Sequence, residues 1–434
     1  MKKLLILTGL LCSVFAKGQW TAVGNGTNST VWSMDSANGN LYVGGSFNSA
    51  GGISANHIAS WNGTIWDSLQ SGTNGIINRL INYNGNLYAG GQYTLAGGTL
   101  SNNIAEWNGT SWITLSSGTN APVWALGTYN GSLIASGPFD TAGGKQAFGI
   151  ASWNGSIWDS LGYGINDFAW GLASYNGILY AGGTFNGAGG ISVSNIAQWN
   201  GVAWDSLGNG SLFQANVLAV YNGKLYAAGS FYTRSAVLIA NGLAVWNGNV
   251  WDSLSSGKNN IGTVLAMAVY NGLLYVGGNF KTVGGIPANN IAVWNGTSWH
   301  ALGAGVNDSV QAICGYDGKL YIGGTFDSAG GMPAKHIAVW NGPLGVNEVT
   351  EQKNDVKIYP NPSNGLFTLE LTNQKTKSEI EVYNMLGEKV YSNALSTFNY
   401  SFSINLSGNP SGIYLYRITT ETGEQVSTGK LVIE

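Results

Sequence analysis

Residues 123–162 read VWALGTYNGSLIASGPFDTAGGKQAFGIASWNGSIWDSLG, and this stretch recurs along most of the chain. It divides into four short alternating runs: an inner run (123–129), a second run (133–139), a third run (150–153) and an outer run (157–161). Asn130-Gly131 separates the first two, with counterparts at Asn84-Gly85, Asn176-Gly177, Asn222-Gly223, Asn271-Gly272 and Asp317-Gly318. A two-residue loop of this kind favours a type I′ turn, because both central residues take positive φ, so each pair predicts a tight hairpin. Trp153-Asn154-Gly155 is read as a second tight turn of the same type, joining the third run to the outer one.

Trp-Asn-Gly occurs seven times, beginning at Trp61, Trp107, Trp153, Trp199, Trp246, Trp294 and Trp340, at spacings of 46, 46, 46, 47, 48 and 46 residues. One supersecondary unit is therefore used seven times. A second tryptophan follows each of the first six triplets by five residues, and the seventh lacks one. Its counterpart is Trp20, in QWTAVGNG, which has no triplet before it. The repeat is cut inside one hairpin. This predicts an all-β fold, a seven-bladed β-propeller over residues 19–342, closed by an N-terminal strand that pairs with the third run of the last copy and removes exposed edges.

That strand order places both Asn-Gly turns on one face of the disc. The longer Ala-Gly-Gly segments and the Gly-x-Asn segments that lead to the next blade lie on the other, where recognition is expected. Repeats of about 46 residues with a Gly doublet (Gly44-Gly45, Gly90-Gly91, Gly182-Gly183, Gly277-Gly278, Gly323-Gly324) and a later Trp resemble the kelch-type propeller family over residues 20–342. The resemblance implies the propeller fold and no single function.

Residues 343–355 gain charge and lose aromatics, as a linker does. From 356 to 434 alternating segments make a small β-sandwich candidate. Tyr359-Pro360-Asn361-Pro362, Gly365, Asn384 with Gly387-Glu388, Gly412-Ile413-Tyr414 and Gly429-Lys430 appear there in order. This part resembles the C-terminal sorting domain of type IX secretion in Bacteroidota. The resemblance implies the type IX machinery as a partner through residues 356–434, passage of the outer membrane, and display on the cell surface or release. At the other end, residues 1–18 read as a signal peptide for Sec export: Lys2 and Lys3, an apolar run, then small residues, with cleavage after Ala16 or Gly18.

Composition narrows the function. The repeat region carries eight basic and eleven acidic residues, so a basic stripe for nucleic acid is absent. No stretch after the leader reaches the roughly 18 apolar residues that span a bilayer. The mature chain keeps one cysteine, Cys314, on an apolar repeat position, where a buried inert thiol is expected. His57 and His336 occupy equivalent positions with no third metal ligand evident. There are no paired carboxylates in a distinctive motif and no Gly-x-Ser-x-Gly, so no enzyme, cofactor or metal site is expected.

The expected role is binding of a protein or glycan through the long-loop face. The regular tryptophans are assigned to packing between blades. Ligand-binding candidates come from where the repeat fails: Trp32, Trp124 and Trp170, which fall in the inner runs of only three copies, and Tyr232 with Arg234, in a fifth copy that replaces Ala-Gly-Gly by SFYTRSAVLIANG. The alternative is lectin-like carbohydrate binding by the inner-run tryptophans. A polysaccharide-acting enzyme is the remote one. A rim of asparagines (Asn28, Asn74, Asn120, Asn166, Asn259, Asn307) is read as turn chemistry.

Overall fold

The computed structural model describes residues 20–208, 212–231, 241–254, 262–342, 356–371, 378–385, 387–395, 401–420 and 425–434. Residues 1–18, the linker at 343–355, Asn259, and Tyr232 with Arg234 lie outside the described residues. The chain is all-β, with no helix among the described residues, and it divides into two compact units between residues 346 and 347.

In the first unit each repeat forms one four-stranded antiparallel sheet in meander order, giving seven such sheets among the described residues. The first comprises Val31–Ala37, Asn40–Gly45, Ile58–Trp61 and Trp66–Ser68. Between its inner pair, Asn38 and Gly39 take φ of 48° and 73°, the type I′ geometry expected of this two-residue loop.

The Trp-Asn-Gly element is built differently from that expectation. Trp61 pairs with Trp66, so four residues form the loop, and of these Gly63 alone has positive φ. Asn62 acts through its side chain: Oδ1 accepts from the Thr64 and Ile65 amides, both at 2.9 Å. The amide group stands in for backbone, as short polar side chains do in turns. The wider loop lets the two indoles meet across the hairpin, with centroids 5.3 Å apart.

Consecutive sheets pack face to face around buried aliphatic and aromatic clusters. Close approach explains the Gly doublets. A Cβ on Gly44 would stand 2.6 Å from Ile77 Cγ2 of the next sheet, and one on Gly45 would stand 2.1 Å from the Thr30 carbonyl oxygen. Outer-strand tryptophans of the first four sheets join neighbours by hydrogen bonds. Trp112 Nε1 donates to the Leu69 carbonyl at 3.2 Å, Trp158 to Leu115 at 3.0 Å, and Trp204 to Leu161 at 2.8 Å.

The N-terminal strand Trp20–Ala22 completes the seventh sheet, pairing with Ile337–Trp340 so that Trp20 lies opposite Trp340. Trp20 is fully buried and its Nε1 donates to the Leu302 carbonyl at 2.9 Å, repeating the bond of Trp112, Trp158 and Trp204 to the preceding sheet. The seventh sheet also packs on the first. Gly323 leaves room for Val31, whose Cγ1 would lie 2.4 Å from an added Cβ. The Tyr316 hydroxyl donates to the Gly39 carbonyl at 2.8 Å, as Tyr83 does to Gly131 at 2.6 Å between the second and third sheets.

The second unit has a three-stranded and a four-stranded antiparallel sheet, with Phe367, Leu369, Ile380, Val382, Ile404 and Ile418 in its core. Its motif residues shape turns and tie strand ends. Asn361 Nδ2 donates to the Lys430 carbonyl at 2.7 Å while its Oδ1 accepts from the Val432 amide at 2.8 Å. The Tyr359 hydroxyl donates to Glu370, and the Tyr414 hydroxyl donates to the Pro410 carbonyl at 2.7 Å. Gly365 and Gly387 take φ of 95° and 84°, and the Glu388 amide donates to Asn384 Oδ1 in the turn that Gly387 permits. Gly429 lies against the Tyr416 ring, where a Cβ would come within 2.6 Å.

Candidate functional site

Six of the seven inner strands carry a register shift near their start, where one extra residue stands in the ladder. The shifts bracket Trp32, Asn78, Trp170, Asn216, Leu265 and Gln311. A bulge of this kind re-aims a side chain that regular alternation would send to a sheet face. Trp124, whose amide donates to the Ser136 carbonyl at 2.8 Å just before its strand begins, takes the equivalent place in the third sheet.

All seven side chains line one cavity of about 440 Å³, together with Arg79, Gln214 and Val217. One residue from every repeat thus converges on the axis at the start of the inner strands, the end that bears the long loops. Trp32, Trp124 and Trp170 all line this cavity. The amides and Arg79 were not singled out in the sequence reading. Their signal was present: the residue before the bulge is always apolar (Val31, Ile77, Val123, Ala169, Ala215, Val264, Val310), while the bulged position varies without pattern.

The aromatic side of the cavity is a packed group. Trp124 and Trp170 have centroids 5.2 Å apart, and Phe168 stands edge-on to Trp170 at 5.0 Å and stacks beside Trp124 at 6.4 Å. Trp32 is 39% exposed, high for so large an apolar side chain. On the polar side, Asn78 Nδ2 donates to the Val123 carbonyl at 3.0 Å. Trp170 Nε1, Asn216 Oδ1 and Gln311 Oε1 are shielded from bulk solvent and have no hydrogen-bond partner among the described residues. Burial pushes the Arg79 guanidinium down from its usual range, opposed by the field of Asp35.

A second concavity, about 960 Å³, opens between the third and fourth sheets beside Phe148 and Tyr163. Tyr163 is 82% exposed. In other copies the matching pair is bonded: Asn56 Nδ2 donates to the Ser71 carbonyl and Asn102 Nδ2 to the Ser117 carbonyl, each at 3.0 Å. Here two aromatics, Phe148 and Tyr163, stand in the place of that polar link.

The rim asparagines are structural. Asn74 Oδ1 accepts from the Thr94 and Leu95 amides and its Nδ2 donates to Thr94 Oγ1, all at 2.9 Å, and Asn28, Asn120, Asn166 and Asn307 make the same three bonds to their own hairpins. Their amide groups are committed to holding loops. Burial pushes the Cys314 thiol up to about 12, which keeps it protonated and unreactive. Among the described residues no group of three or more His, Cys, Asp or Glu side chains stands close enough to hold a metal ion.

Comparison with known proteins bears first on the tail. Residues 357–434 match the secretion system C-terminal sorting domain. The chain is thereby directed through type IX secretion, to the cell surface or the medium. Among solved structures, the chain is similar to an extracellular domain assigned to a one-component system of B. thetaiotaomicron, at 13% identity and a TM-score of 0.43, covering 95% of this chain. It spans 57% of the length of that protein. It is also similar to the β-propeller domain of the Trilobed protease from Pyrococcus furiosus, at 9% identity, a TM-score of 0.43, and coverage of 73% and 96% of the two chains. A Bacteroides vulgatus protein with an immunoglobulin-like β-sandwich is 20% identical over 19% of this chain and 88% of its own, with a TM-score of 0.17. No curated protein matches the chain.

Proposed function

We propose that the repeat region is a closed, kelch-like seven-bladed propeller, displayed or released outside the cell, that binds a glycan in the mouth of its central channel. The observation that carries this is the convergence of three tryptophans with amide side chains in one cavity, each supplied by a different repeat. Aromatic rings offer flat apolar faces to the C–H face of a sugar. Amide groups donate to and accept from its hydroxyls. The volume falls in the usual range of small-ligand sites, roughly 300–1,000 Å³. Type IX export places the protein where extracellular polysaccharides are met.

The site reads as one that binds without turning its ligand over. Among the described residues lining the cavity there is no carboxylate, histidine or cysteine to act as acid, base or nucleophile. A glycan array probed with the purified chain should show a restricted set of ligands, with Trp124→Ala and Trp170→Ala each abolishing detectable binding. A flat array would remove the glycan reading and leave protein contact on the same face, where Phe148 and Tyr163 are exposed.

A further inference from the structure

We infer that the ligand of the channel mouth is an acidic glycan, held through its carboxylate or sulfate oxygens by Arg79. This rests on the glycan reading above and specifies its chemistry. Arg79 follows the bulged Asn78 and lines the same cavity as Trp124, Trp170, Asn216 and Gln311. It is partly buried, yet its guanidinium makes no hydrogen bond or salt bridge to any described residue. The carboxylate whose field reaches it makes its own hydrogen bonds to the backbone: Asp35 Oδ1 accepts from the Ser36 amide at 2.7 Å, and Oδ2 from the Asn82 amide at 2.8 Å.

A partly desolvated cation with no hydrogen-bonded counter-ion among the described residues, offset only by the field of Asp35, contributes little to the fold. The repeat does not demand it either. The corresponding residues in the other six copies are Ser33, Ala125, Gly171, Val217, Ala266 and Ala312, all small or apolar. Arginine in that one place, in a repeat region with few basic residues, is a feature of the cavity and not of the architecture. Its fixed fork of donors matches a carboxylate or sulfate in two parallel hydrogen bonds. Around it, Asn216 Oδ1, Gln311 Oε1 and Trp170 Nε1 have no hydrogen-bond partner among the described residues, so a small side-chain rotation toward the cavity would satisfy each on a ligand hydroxyl. Together these groups complement a polyhydroxylated ring bearing one anionic substituent.

The test uses pairs of polysaccharides that differ in charge: polygalacturonate against its methyl ester, and a sulfated galactan against the desulfated polymer, with dextran as a further neutral probe. Affinity electrophoresis and quenching of tryptophan fluorescence report binding to the full chain. The charged member of at least one pair should bind and its neutral form should not, and which pair responds tells carboxylate from sulfate. Arg79→Gln should weaken that binding roughly ten- to a hundredfold, the range for a hydrogen bond to a charged group, while Arg79→Lys keeps part of it. Because Arg79 makes no hydrogen bond to a described residue and meets Asp35 only through its field, Arg79→Gln should still unfold cooperatively, close to the wild-type temperature. Equal binding of charged and neutral members, or unchanged binding by Arg79→Gln, would overturn the inference and leave the glycan reading intact. Loss of cooperative unfolding in Arg79→Gln would assign the residue to structure and overturn it too. Binding to none of the five polymers removes both readings.

Discussion

His57 and His336 look at first like a metal pair, and their backbone gives them a different reason to exist. Their φ angles are 65° and 63°, and the same slot holds Asn103, Gly149, Asn195 and Asn290, all with positive φ. The repeat needs a left-handed residue there, which L side chains resist and Asn tolerates best. Asn103 and Asn290 add a side-chain bond, Nδ2 donating to Thr119 at 2.9 Å and to Val306 at 2.8 Å, whereas His57 Nδ1 and His336 Nδ1 have no partner among the described residues. His57→Asn should therefore stabilise the protein by about 1 kcal/mol in urea unfolding; a loss would show that the imidazole has a role of its own. The pH dependence has a definite sign. Burial holds the His57 pKa below its ordinary value, so its contribution is intact above about pH 6.5 and falls as the unfolded chain takes up the proton below it. The Asn variant should lose less stability between pH 7 and pH 5 than the wild type.

At the scale of the hairpin, two Asn-Gly pairs of identical composition do different things. Asn38-Gly39 forms a two-residue turn through backbone φ, and Asn62-Gly63 caps a four-residue loop through its side chain. Sequence patterning read the repeat's two kinds of Asn-Gly pair as one type of turn, without naming Asn38-Gly39; the distinction depends on which flanking residues pair. Trp61 opposite Trp66 fixes that register, and indole packing selects it. The outer member of the pair also bonds the preceding sheet in five copies, at Trp20, Trp66, Trp112, Trp158 and Trp204. Trp158→Ala should cost about 3–5 kcal/mol in thermal or denaturant unfolding, as expected for a buried large side chain, and more than Trp158→Phe. A cost below about 1 kcal/mol would mean that the outer strand contributes little to packing between sheets.

For the whole molecule the decisive element is three residues long. Trp20–Ala22 is the outer strand of the seventh sheet, and Trp20 bonds the sixth. Deleting residues 20–23 should lower stability by at least the roughly 3–5 kcal/mol of one buried tryptophan, and should expose the edge of Ile337–Trp340 to association. Removing an equally short exposed turn should do neither. Unchanged unfolding and an unchanged monomer fraction after the deletion would refute closure by this strand.

The sequence alone determined the repeat, its count, the hairpins within it, the split copy that pairs the two ends, and the sorting tail, because each is written in local spacing and turn chemistry. It also marked Trp32, Trp124 and Trp170 as departures from the repeat. Only the tertiary structure decided that these three share one cavity with Arg79, Asn216 and Gln311. Those residues lie far apart along the chain, and a bulge in the inner strands turns them toward the axis; side-chain alternation cannot reveal an insertion that exists only relative to a paired strand.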